Sequence, residues 1–101
     1  DILLYSLVAQ SRSPKDYVIS AEALSVEPYG IMVRRDDPAF KKIVDAAMAS
    51  TYKSGAINGI YQKWFLKPIP PKNINLNVPM SAQLKKVVSS PTDSGDPNDY
   101  R

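Results

Sequence analysis

A chain of 101 residues has room for one domain, and with 44% hydrophobic and 23% charged residues its make-up is that of an ordinary soluble protein. The formal net charge is a mild +3 with no run of five basic residues, so the lysines read as a solvated surface and not as a nucleic-acid patch. With no cysteine and no histidine, disulfides, thiolate chemistry, the usual general base and the commonest metal ligand are excluded, so no catalytic residue, metal site or cofactor is expected; nor is any apolar run long enough to span a bilayer.

Asp1 leads directly into the apolar run ILLYSLV, without the polar slack of a natural amino terminus, which suggests a cut edge. Leu3, Leu4, Leu7 and Val8 share one side, which predicts a short, largely buried helix ending near Arg12. Tyr17 to Ala21 is a short β-type run, and Ala23 to Arg35 holds a second, with Tyr29, Ile31 and Val33 on one face. Pro28 cannot donate to a ladder, so the part before Gly30 reads as an extended hinge and not a central strand.

Asp37 to Phe65 reads as two helices joined at Gly55. The first is capped by Asp37 and opened by Pro38, and it carries Phe40, Ile43, Val44, Ala47, Met48 and Tyr52 at helical spacing. The second puts Ile57, Ile60, Tyr61, Trp64 and Phe65 on one face, all expected in the core, and stops before Pro68. KPIPPK at Lys67 to Lys72 reads as stiff and extended. Ile74, Leu76 and Val78 alternate with asparagines, so that run is expected to lie along a surface with one side down. Ser81 to Ser89 fits a short helix with Leu84, Val87 and Val88 inward, and from Ser90 onward the chain is too polar to be expected to fold. Two short strands cannot cover three amphipathic helices, so strands from the rest of the protein or from a second chain are expected to complete the core.

The stretches EALSVEPYGIMVRRDDPAFKKIVDAAM, SGAINGIYQKWF and PIPPKNINLNVPMS, in that order, resemble the carboxyl-terminal part of the periplasmic amino-acid-binding proteins of ATP-driven (ABC) importers, the solute-binding family 3. The aromatic-glycine pair Tyr29-Gly30 and the Y-x-K-W-F run at Tyr61 to Phe65 carry the family likeness. PIPPKNINLN points to the glutamate/aspartate-binding subgroup, and the likeness covers about residues 1 to 90. It implies an α/β fold, the carboxyl-terminal part of a two-lobed type II periplasmic binding protein, incomplete as a single chain. On that scheme residues 1–24 end the second lobe, and 25–33 form the hinge crossover and return strand. Residues 34–67 are the first-lobe helix pair, and 68–101 are an extended tail, disordered after about 90.

The same likeness implies a non-catalytic receptor for glutamate or aspartate, located in the periplasm, that closes on its ligand and presents both lobes to a membrane permease. Asp1 then accepts from the α-ammonium of the ligand, against the simpler role of a helix cap, and Ser25, Val26, Glu27, Pro28 and Tyr29 form the hinge. Tyr29 reads as a packed aromatic at the lobe junction. Arg34 and Arg35, just ahead of a helix, read as surface partners of Asp36 or Asp37. The scaffold also carries dehydratases, modules of cell-wall lytic enzymes and receptor-kinase sensors, which are the alternative functions.

Overall fold

Local chemistry sets the longest element. The computed structural model describes residues 2–101. Helix α2 spans Pro38–Lys53, with the Asp37 carboxylate accepting from the Phe40 amide at 3.0 Å and Pro38 filling a position that needs no N–H donor. Gly55, at φ 79°, turns the chain out of the helix in the left-handed conformation that costs glycine least. Helix α3 follows at Ala56–Tyr61 and widens into a π-helical turn at Gln62–Leu66, ending before Pro68 as expected. Helices α1, Ile2–Ala9, and α4, Ala82–Ser89, complete the set, the latter capped by Ser81 Oγ on the Leu84 amide at 3.1 Å.

The chain divides into two compact units, Asp1–Leu24 with Asn58–Met80, and Ser25–Ile57 with Ser81–Arg101. In the first, Tyr61 and Val78 are the two buried apolar residues found among those described. The Tyr61 hydroxyl donates to the Val78 carbonyl at 3.0 Å, the Val78 amide donates to the Phe65 carbonyl at 3.0 Å, and the Tyr61 and Phe65 rings stack tilted at 4.6 Å. Ile74, Leu76 and Val78 turn inward between exposed asparagines, as the alternation predicts. KPIPPK does not run extended: an isolated bridge joins Ile69 to Ile74, and the loop closes where Asn73 takes a left-handed φ of 53°, which asparagine tolerates. Asn75 Nδ2 ties the returning chain to the Leu66 carbonyl at 3.2 Å.

In the second unit α4 packs on α2 and on a 3-10 turn at Pro97–Tyr100. Leu84, Val87 and Val88 are half-buried as expected, and so are Val44, Met48 and Tyr52 of α2. The composition after Ser90 predicts no structure, yet Asp96 caps the final turn through the Asn98 amide at 2.9 Å and the Tyr100 hydroxyl donates to the Ser94 carbonyl. Short-range polar bonds do there what apolar content does not.

Three expectations are corrected. The β-type runs at Tyr17–Ala21 and Ala23–Arg35 form no strand, because no second backbone lies alongside: among the described residues no backbone-to-backbone hydrogen bond is made between Val18 and Asp36. The sheet of the expected α/β fold is therefore not found among the described residues, which are helical or irregular. Helix α1 forms but is not buried, with Leu3 and Leu7 exposed, and Trp64 is 44% exposed under the Lys63 ammonium and so lies outside the core that Tyr61 occupies.

Apolar side chains stay open on α1, at Leu3, Leu4 and Leu7, and on the Phe40–Ile43 side of α2.

Two substitutions check the packing. Tyr61→Phe removes one buried hydrogen bond and is expected to lower stability in urea melts by about 1 kcal/mol. Asp37→Ala, which strips the α2 cap, is expected to cost about 1 kcal/mol, with Asp37→Asn recovering most of it.

Candidate functional site

Of the residues singled out from the sequence, Asp1 lies outside the described residues. Ser25 to Tyr29 fall in a stretch with neither helix nor strand, and one of the three places where the chain passes from one unit to the other lies between Leu24 and Ser25. Pro28 holds φ near its fixed value and donates no amide, so the stretch cannot be drawn into a helix interior or a central ladder. Val26 and Pro28 are half-buried, while Ser25 and Glu27 are exposed. Tyr29 is 86% exposed, so the described residues supply no surface for it to pack on.

The next residues line an open depression of about 560 Å³, formed by Val33, the Arg34–Arg35 pair, Asp36, Asp37, Pro38 and Lys41. Asp36, at φ 60°, bends the chain so that Asp37 meets the first turn of α2. The expected pairing of Arg34 or Arg35 with these aspartates is not made: no such ion pair occurs among the described residues, because the Asp37 carboxylate is aimed at the helix amides. The cation that does pair is Lys41, whose Nζ sits 2.6 Å from Asp45 and 2.5 Å from Asp93. The hydrogen bonds that Lys41 donates to Asp45 and then Asp93 push its ammonium above its ordinary value, and the bond from Lys41 holds the Asp93 carboxyl below its own. The Asp45 contact was legible as an i,i+4 pair; Asp93 is 52 positions away, and no local pattern announces it.

These groups do not converge on a point. Among the described residues no three acidic, histidine or cysteine side chains cluster as metal ligands do, and no helix is long and apolar enough to cross a membrane. The depression has charges of both signs, two of them, Asp37 and Lys41, already engaged. What the described residues offer is an irregular stretch at Ser25 to Tyr29 ahead of a charged helix start.

Comparison with known proteins is decisive where geometry is not. Ninety-three residues, 92% of the chain, match the L-glutamate/L-aspartate-binding protein of Pseudomonas aeruginosa at 55% identity. This chain is similar to glutamate/aspartate-binding proteins. The glutamate/aspartate import solute-binding proteins of Escherichia coli and Salmonella typhimurium match over the same number of residues at 40% and 39% identity. The family likeness read from Tyr29-Gly30, Tyr61 to Phe65 and PIPPKNINLN is thus borne out. The chain spans 31% of the length of each of these binding proteins. No family model matches it, and no solved structure does.

The Lys41 cluster gives a pH dependence with a definite sign. A carboxyl whose folded pKa is depressed contributes to the fold above its unfolded pKa and stops contributing as pH falls through the folded value. The hold of Asp93 on α2 is therefore expected to be complete at neutral pH and to fade only in acid, below the ordinary carboxylate range. In a carbon-detected NMR titration, Lys41→Met should return Asp93 to that ordinary range.

Proposed function

We propose that these residues are part of a receptor that binds glutamate or aspartate between two lobes, closes on it, and delivers it to the permease of an ABC importer in the periplasm, without catalysing a reaction. The observation that carries this reading is the match of 92% of the chain, at 55% identity, to a protein named for binding L-glutamate and L-aspartate. The fold on this reading is the two-lobed α/β one, whose strands come from the rest of the protein or a second chain and cover the open faces of α1 and α2. Ser25, Val26, Glu27, Pro28 and Tyr29 are the hinge. Their lack of helix or strand and a unit boundary at Leu24 and Ser25 support that role. Asp1 accepts from the ligand's α-ammonium, an arrangement in which an ionised carboxylate meets a primary ammonium with little water present. Closure is a shift between open and closed populations, and the amino acid drives it only through tighter binding to the closed form.

Isothermal titration of the intact protein that carries these residues tests the reading. Saturable heat is expected with glutamate and with aspartate; none with either, or turnover of a substrate, would sink it. Asp1→Asn is expected to weaken glutamate binding at least 30-fold, from about 2 kcal/mol for an unpaired buried charge, and unchanged affinity would remove Asp1 from the site. The 101-residue chain by itself is expected to bind more weakly than about 1 mM, about 4 kcal/mol.

A further inference from the structure

The segment after Ser90 carries Asp93, Asp96 and Asp99 and no base before Arg101, whereas α2 and α4 present Lys41, Lys42, Lys53, Lys85 and Lys86 on exposed positions. Its last turn packs on α4, and two lysines of those helices bond to it. Lys41 Nζ on α2 takes Asp93 at 2.5 Å while holding Asp45 at 2.6 Å, and Lys86 Nζ on α4 donates to the Asp99 and Arg101 carbonyls at 3.1 and 2.8 Å.

Between the two anchor points the segment keeps its own shape. Thr92 Oγ1 accepts from the Ser94 amide at 3.2 Å, Ser94 Oγ from the Asp96 amide at 3.1 Å, and the Tyr100 hydroxyl returns to the Ser94 carbonyl. It thus behaves as a folded piece fixed at both ends. The bonds at the two anchor points are polar and exposed, with the Lys41 and Asp93 side chains 47% and 71% exposed. Interactions of that kind are weakened by added salt, whereas apolar packing is not.

We propose that residues 91–101 form an acidic strap that fastens α4 onto α2 through Lys41 and Lys86 and is released by salt. With the strap open, α4 loosens from α2, on which it packs. The strap is independent of ligand identity and of lobe closure.

Hydrogen exchange of the intact protein, followed by mass spectrometry, tests it. At about 0.05 M salt, where the screening length is about 14 Å, Lys41→Met and Lys86→Met should each speed exchange in residues 82–101 roughly two- to fivefold, the range for exposed pairs. Lys42→Met, which removes a charge of α2 that makes no ion pair among the described residues, should leave that exchange unchanged. Raising the salt to about 0.5 M should loosen the parent in the same residues and affect the Lys41→Met/Lys86→Met double variant much less. Because Lys41 also holds Asp45, Asp93→Asn isolates the strap contact and should reproduce the loosening of 91–101. Exchange equal to the parent in Lys41→Met, Lys86→Met or Asp93→Asn would overturn the proposal, as would an effect of Lys42→Met as large as that of Lys41→Met.

Discussion

A backbone amide taken from water needs an acceptor, and a β-type segment finds one only in a second backbone running beside it. From Val18 to Asp36 no such neighbour exists among the described residues, and much else follows. Val18, Tyr29 and Met32 stay in solvent because without a ladder there is no sheet face for them to pack on. Helices α1 and α2 in turn have no sheet to lie against, so their apolar sides remain open while their backbones are satisfied internally. Helices can form without a partner and strands cannot, which is why the described residues are rich in helix and show a single bridge.

What closes the first unit is a contact of a different kind. Tyr61 uses its ring against Phe65 and its hydroxyl on the Val78 carbonyl, so one side chain joins the end of α3 to the asparagine-rich run. Burial raises the Tyr61 phenol above its ordinary value. Neither partner is conspicuous in sequence. Trp64 is the larger aromatic on the same helical face and looked equally suited to the core, yet it ends under the Lys63 ammonium. Helical spacing assigns a face; it does not say how far along that face the partner reaches.

The features legible in the sequence share one property: their causes lie within four residues. Asp37 and Ser81 as caps, Gly55 as a left-handed stop, the Lys41 and Asp45 pair, and the inward Leu84, Val87 and Val88 are all decided by neighbours on the same turn or the next. The turn at Ile69 to Ile74 escaped that reading because prolines suggest extension, while the deciding residue is Asn73, which accepts a left-handed φ. Of the candidate site, the Ser25 to Tyr29 stretch was legible through Pro28, which breaks both regular structures at once. Tyr29 has no packing surface among the described residues, and an aromatic beside a glycine implies packing only where something is present to pack against.

The distribution of charge ties the tail to the rest. From Ala46 to Thr92 the chain carries six lysines and no acidic residue, and the next three charges, Asp93, Asp96 and Asp99, are all negative. Sequence separation hides this complementarity, but folding the tail back over α4 brings Asp93 to Lys41, across 52 positions. A polar segment that could not form a core is thereby held by opposite charge and by carbonyls turned toward Lys86. Composition forecasts disorder by counting apolar surface, and it misses the case in which the neighbouring helices supply a field of the opposite sign. That is why the tail, the least foldable stretch by composition, has a defined place in the unit that contains α2.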